Sequence, residues 1–272
     1  MHILVTNDDG PPCPKSSPFV HSLVKAFQSA GHTVSVILPS EQRSWIGKAH
    51  FKDKTLTPTI YRPENSQDEW ILIDSTPASC AQIGLHHYFQ EKGPVDLVVS
   101  GPNLGRNSTA LFSLSSGTIG AAMEAALCRK RAIAVSFAHD EYGAGGHDSN
   151  AIDEACSHSV RLIQHLNDIW AKDVDVYTVN VPLKVGVSKQ RIKYTRMLRN
   201  RWISGSAFDV VEQDGEKKFK WAPRLQDLRK TASESGPGND GWVVDQGMTS
   251  VTPLQANYMY LAPPQDEDII LP

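Results

Sequence analysis

Asp8 and Asp9 stand side by side at the end of an apolar run, Ile3-Leu4-Val5-Thr6, and Gly10 follows them closely. Apolar, β-rich residues in such a run read as a strand buried on both faces. In an open parallel sheet, ligands bind in the crevice beyond the carboxyl ends of the strands. Two carboxylates at that place are costly unless a cation or hydrogen bonds meet them. An oxygen-preferring divalent ion such as Mg2+ or Mn2+ suits them. The competing reading is a turn made by Asn7, Asp8 and Gly10, with one Asp capping the next helix.

Three further loops fall at strand carboxyl ends and so face the same crevice. They are Pro39-Ser40-Glu41-Gln42-Arg43-Ser44, then Gly101-Pro102-Asn103-Leu104-Gly105-Arg106-Asn107, then Ser115-Ser116-Gly117-Thr118. The last places hydroxyls and a glycine backbone at a helix N-terminus, which favours an anion. Carboxylates for a metal beside amides for an anion point to a phosphate ester. Each piece also has an ordinary reading. Ser-Gly-Thr can be a helix cap, Asn103 and Asn107 turn chemistry, and Ser44 one hydroxyl in a polar loop.

The elements that must position these residues alternate. Phe19, Leu23, Val24 and Phe27 recur at helical spacing and Gly31 stops that helix. Strands are predicted over 34–38, 71–73, 95–100, 132–137 and 174–181. Helices are predicted from Thr76-Pro77 through Tyr88, over 116–130 and over 151–170, with a long loop over 40–58. Strands spaced by helices imply an α/β fold: a three-layer sandwich around a mostly parallel, Rossmann-like sheet. The alternation breaks after Pro182. Residues 1–183 read as the α/β metal–phosphate core, 184–260 as β-hairpin arms that return to the core and make oligomer contacts, and 261–272, with Pro263 and Pro264, as a linker-like tail.

Lys and Arg number 27 against 30 Asp and Glu, a net charge of −3, so no bulk attraction to nucleic acid or membrane is expected. Cys13, Cys80, Cys128 and Cys156 form no CxxC pair, which argues against zinc and a disulfide framework. Met1-His2 leads straight into the first strand without a charged leader, and no run is long enough to span a bilayer, so the expectation is a cytoplasmic protein.

Taken together, Asn7-Asp8-Asp9-Gly10, Arg43-Ser44, Ser100-Gly101-Pro102-Asn103 with Gly105 and Asn107, and Ser116-Gly117-Thr118 with Ala121-Ala122-Met123-Glu124 resemble the SurE family. The resemblance continues in order through Thr76-Pro77-Ala78, Ala134-Val135-Ser136, Asn180-Val181-Pro182 and Ser250-Val251-Thr252-Pro253-Leu254. It implies a phosphatase acting on nucleoside 5′- and 3′-monophosphates or other phosphomonoesters, with one divalent cation per subunit held by Asp8, Asp9, Ser44 and Asn103. Asn7, Asn103, Ser116, Gly117 and Thr118 are then expected to hold the phosphate, while Asp8 or Asp9 orients the attacking water or takes its proton, with Asn103 assisting. The resemblance also implies a homodimer or tetramer with exchanged arms. Some fungal relatives carry such a domain ahead of a tubulin-tyrosine-ligase-like domain, so a fused C-terminal domain is a further expectation.

The sequence departs from that family pattern at Trp45, Ser75 and Ser79, which bear on pocket shape and substrate preference. It also lacks the C-terminal helix that bacterial members place after the Ser-Val-Thr-Pro-Leu motif. Adjacent aspartates do not suit a haloacid-dehalogenase phosphatase, which needs its acids two residues apart. Neither GxGxxG after the first strand nor a P-loop is present. The alternative function is a catalytically weak module that binds nucleotide or protein partners within a longer chain. His86 and His87 read as helix-surface residues. His139 lies at the same sheet edge, where it could meet a phosphate. The basic run from Lys189 to Arg201 reads as a hairpin or subunit contact rather than a nucleic-acid site.

Overall fold

The computed structural model describes residues 1–64, 66–139, 147–203 and 205–257. In chain order it forms β1 (His2–Thr6), α1 (Val20–Ser29), β2 (Thr33–Pro39), β3 (Pro58–Tyr61), β4 (Trp70–Ile73), α2 (Pro77–His87), β5 (Leu97–Leu104), α3 (Thr109–Ser115), α4 (Gly117–Leu127), β6 (Arg131–Ala138), α5 (Ser149–Asp168) and β7 (Val176–Pro182). Beyond β7 come β8 (Ile192–Tyr194), a hairpin of β9 (Phe208–Gln213) and β10 (Glu216–Trp221), α6 (Leu225–Glu234), α7 (Asp240–Asp245) and β11 (Thr249–Leu254).

The main sheet runs β3-β4-β2-β1-β5-β6-β7-β11-β8. From β4 to β7 every neighbouring pair is parallel, while β3 pairs antiparallel with β4 and β11 antiparallel with β7. The expected three-layer, mostly parallel sheet with a C-terminal hairpin is the one observed. Every residue of β1 and β7 is buried, as strands covered on both faces require. Alternate side chains separate the two cores. Ile3 and Val5 meet Phe19, Leu23 and Phe27 of the α1–α5 layer, and Leu4 meets Ala122 and Ala125 of the α2–α4 layer. Leu23 is fully buried, so Leu23→Ala would cost about 2–5 kcal/mol.

Helix starts follow local chemistry where a cap is present. Thr76 accepts a hydrogen bond from the Ser79 amide with Pro77 in the first turn, and Asp148 caps α5 through the Asn150 amide. Several expectations need correction. The strand at 95–100 extends through Leu104 past an irregularity between Ser100 and Asn103. The helix expected over 116–130 ends at Leu127, and α3 precedes it as a separate element. After Pro182, α6, α7 and the short strand β8 accompany the hairpin. The tail expected at 261–272 lies outside the described residues. Among the described residues no single helix is long and apolar enough to cross a membrane.

Candidate active site

Asp8 and Asp9 emerge at the carboxyl end of β1 and are each only 2% exposed. Asn7, just before them, closes the turn. Its amide nitrogen donates to the Gly10 carbonyl at 2.9 Å and to Ser17 Oγ at 3.2 Å, and its Oδ1 accepts from the Gly10 amide at 2.9 Å. Both side-chain amide hydrogens are therefore engaged within the loop. Its part is to present the two carboxylates.

The N-terminus of α4 lies directly against Asp8. Thr118 Oγ1 donates to Asp8 Oδ1 at 2.5 Å, and the Gly117 and Thr118 amides also hydrogen-bond this carboxylate. The fit excludes any side chain at position 117, where a Cβ would come within 2.7 Å of Asp8 Cβ. Ser116 accepts from the Ile119 amide at 3.1 Å and caps the helix. The helix terminus expected to receive phosphate thus already meets a carboxylate, because Asp8 satisfies the same orphan amides an anion would.

Asp9 Oδ2 accepts from the Leu104 amide at 2.7 Å, and the Gln42 side chain supplies a second hydrogen bond. Burial, and then the neighbouring Asp8 charge, hold the Asp9 carboxyl well above its ordinary pKa, against the Leu104 and Gln42 hydrogen bonds. Burial raises Asp8 as well, opposed by the Thr118 hydroxyl and the helix amides. Among the described residues, no lysine or arginine is a main influence on either carboxylate.

Leu104 follows Asn103, which β5 carries to the edge. Gly101 makes this possible with φ +123°, since a Cβ there would come within 2.1 Å of the Val135 carbonyl. Asn103 is buried and its Nδ2 donates to the Gly105 carbonyl at 2.8 Å, leaving Oδ1 as its acceptor. Ser44 is exposed on the loop after β2. That loop is clamped to the site, the Arg43 amide donating to the Asp8 carbonyl at 2.7 Å and the Gly47 amide to the Ser115 carbonyl at 2.9 Å. Arg43 turns its guanidinium away to Glu41 and Asp74.

Among the described residues no three of the His, Cys, Asp and Glu side chains group to hold a metal ion. A cation here would rest on the Asp8–Asp9 pair completed by neutral oxygens, of which Ser44 Oγ and Asn103 Oδ1 are carried by adjoining loops. An all-oxygen set of this kind matches the hardness of Mg2+ or Mn2+. His139 directly follows β6, the parallel neighbour of β5. It contacts His147, with ring centroids 5.1 Å apart, and lines a cavity of about 890 Å3 with Arg106, Lys184 and Arg229. Asn107 binds Asn180 and Ser136 and braces the sheet edge. Residue types do not reveal the parts played by Gln42 and by the Arg43 and Leu104 amides. The only signal for them is adjacency to Ser44 and Asn103, because backbone donors look alike in every sequence.

A family model described as "Survival protein SurE" matches residues 3–204. The "5'-nucleotidase SurE" of Ruegeria pomeroyi is 32% identical over 265 residues, covering 94% of this chain and 95% of that protein. A Saccharomyces cerevisiae protein described as "Probable tubulin--tyrosine ligase PBY1" is 32% identical over 313 residues, covering 95% of this chain but 41% of its own length. The chain therefore spans well under half of that yeast relative. A crystal structure of the SurE protein from Aquifex aeolicus superposes with a TM-score of 0.71 at 26% identity, covering 95% of both chains.

Proposed function

The chain belongs to the SurE family, and from that premise we propose that it is a divalent-metal-dependent phosphomonoester hydrolase acting on nucleoside 5′- and 3′-monophosphates. One observation carries this reading. Three separate segments hydrogen-bond to this pair, the Arg43 amide to the Asp8 backbone carbonyl and Leu104 and the Gly117–Thr118 pair to the carboxylates. Among the described residues no lysine or arginine is a main partner of either carboxylate. A fold that spends so many contacts on holding two like charges together is organised for something positive.

Asp8, Asp9, Ser44 and Asn103 would hold one Mg2+ or Mn2+ ion per subunit, which when bound supplies Lewis-acid stabilisation of charge on the phosphoryl oxygens. The chain's own groups do the rest. Ser116 caps α4 and Gly117 gives its amide to Asp8, so the positive end of α4 acts on the phosphate through that carboxylate, with Asn103 at the end of β5 left to meet the phosphate itself. The Thr118 hydroxyl is directed at Asp8, so its part is to fix that carboxylate. Asp8 is the more fully engaged of the pair, which leaves Asp9 to take the proton of the attacking water.

A panel of nucleoside monophosphates, assayed for phosphate release with Mg2+, Mn2+ or chelator, tests the proposal. Release that needs the ion and stops with chelator is the expected result. No release from any monophosphate in metal-replete buffer overturns it, and favours the second reading of a nucleotide- or protein-binding module. That second reading has its own support, since the chain aligns with only part of a yeast protein whose name describes a ligase. It makes this chain one module of a longer protein of that fungal type, with a fused C-terminal domain. In either case residues 184–260 are proposed to supply homodimer or tetramer contacts, because Phe208, Phe219 and Trp221 lie exposed there.

A further inference from the structure

We infer that Trp45 is the surface on which an aromatic leaving group stacks, so that the site selects nucleoside and aryl phosphomonoesters over aliphatic ones. This inference rests on the phosphatase reading of the Asp8–Asp9 edge.

The first observation is backbone strain. Trp45 sits at φ +63°, the left-handed region that a bulky residue rarely enters and a glycine enters freely. A strained residue persists where the surrounding structure holds it, and such residues cluster at active sites and ligand clamps. The second observation is place. Trp45 directly follows Ser44, and the loop is pinned on one side to the Asp8 carbonyl and on the other to the Ser115 carbonyl. One residue, Ser44, lies between Trp45 and Arg43, so their Cα atoms are at most about 7 Å apart. The residue after Trp45, Ile46, brings its Cγ2 within 3.0 Å of where a Cβ at Gly117 would lie, and Gly117 packs on Asp8, so the Trp45 backbone borders the site.

The third observation is support. The Trp45 ring packs against Phe112 at 5.6 Å and edge-on against Trp221 at 5.2 Å, and remains partly exposed. Trp221 continues to Phe208 at 5.1 Å and Trp202 at 6.0 Å. A held, partly open indole is a good stacking platform, because its ring loses little freedom on binding and every base offers a π-face. The buried carboxylates do not discriminate between leaving groups, whereas this ring does.

The test compares hydrolysis of AMP and of glycerol 2-phosphate by the parent chain, Trp45→Gly, Trp45→Phe and Trp221→Ala, in metal-replete buffer. A parallel titration follows quenching of tryptophan fluorescence by adenosine, which carries no phosphate. Glycine suits the backbone at position 45, so Trp45→Gly is expected to fold. The ratio of kcat/KM for AMP over glycerol 2-phosphate should fall roughly tenfold to a hundredfold in Trp45→Gly. Trp45→Phe should retain most of the ratio, Trp221→Ala should lower it by a smaller factor, and adenosine quenching should vanish in Trp45→Gly. An unchanged ratio and unchanged quenching in Trp45→Gly would overturn the inference while leaving the phosphatase reading intact. If the parent hydrolyses no ester, the phosphatase reading fails, and quenching that disappears with Trp45 still upholds the stacking site. Should Trp45→Gly change only the sedimentation of the chain, the ring is a contact between copies and the inference falls.

Discussion

At the end of β1, two aspartates lie almost wholly out of solvent, whereas on the β9–β10 hairpin Phe208, Val210, Phe219 and Trp221 are 39–64% exposed. These regions depart from ordinary burial in opposite directions, and each departure describes what would relieve it. Charge sequestered among hydrogen bonds calls for a small ion of opposite sign. Apolar rings on a two-stranded ribbon call for a broad apolar surface, because such a ribbon has no interior of its own. The first region is held by hydrogen bonds from the loop after β2, the end of β5 and the start of α4. The second pairs its two strands with each other, in the register Val210 to Phe219, and reaches the core through Trp221 on Trp45.

The comparison breaks first at Asp9. Asp9→Asn should lower phosphate release about a hundredfold or more. The melting temperature of the metal-free chain should hold or rise, since one of two repelling buried charges is gone. Activity near the parent level would mean that the buried pair is not the reaction centre. At the opposite pole, Phe219→Asp should convert an oligomer to a monomer in a light-scattering concentration series, weakening association about tenfold or more. A parent chain that is monomeric at every concentration would leave the hairpin without its proposed partner.

A finer test concerns Thr118. Thr118→Val removes the hydroxyl donor to Asp8 Oδ1 and should destabilise the chain by about 1–3 kcal/mol in denaturant melts, with weaker binding of Mn2+. Unchanged stability with weaker binding of inorganic phosphate would return Thr118 to the phosphate itself. The smallest effect is expected where the regions join. Glu154 of α5 binds the Ser188 hydroxyl and the Gly186 and Ser188 amides, and these contacts hold its carboxyl down to about 2 from 4.5. A depressed carboxyl pKa adds stability above its ordinary value, and that stability drains away as the pH falls towards 2. Glu154→Gln should therefore flatten the acid limb of a pH–stability curve in that window and leave the neutral side only slightly lower. An unaltered acid limb would show that this contact does not tie the segment after β7 to the core.

How much of this can be read from residues alone depends on whether the cause is local. β6 over Ala132–Val135 and β5 over Leu97–Val99 are apolar at consecutive residues because both faces are covered, and the signal stops at Ser100-Gly101-Pro102-Asn103 although β5 continues. α2 is legible from Thr76 and Pro77, which begin it with their own chemistry. α3 is not. Ser108 makes no capping hydrogen bond, and the Thr109 amide is met by Asp240, far away in sequence. β3 is an exposed edge strand held by β4 rather than by its own pattern. At the site, residue types pointed to Asp8, Asp9, Ser44 and Asn103 as oxygen donors, yet types alone do not distinguish an Asn7 that binds ligand from one that closes a turn. Only partners decide that.

The placing of β11 has a consequence for the order in which the chain is made. It fills the sheet between β7 and β8, antiparallel to one and parallel to the other, although roughly 70 residues separate it from the end of β7. At about 5–20 residues per second of synthesis, β7 waits several seconds with an unpaired edge after it has left the ribosome. That interval is when the nascent protein is most open to sticking to a second copy through β7. Slow codons between β7 and β11 would lengthen this exposure, and a ribosome-associated chaperone would have its natural task there.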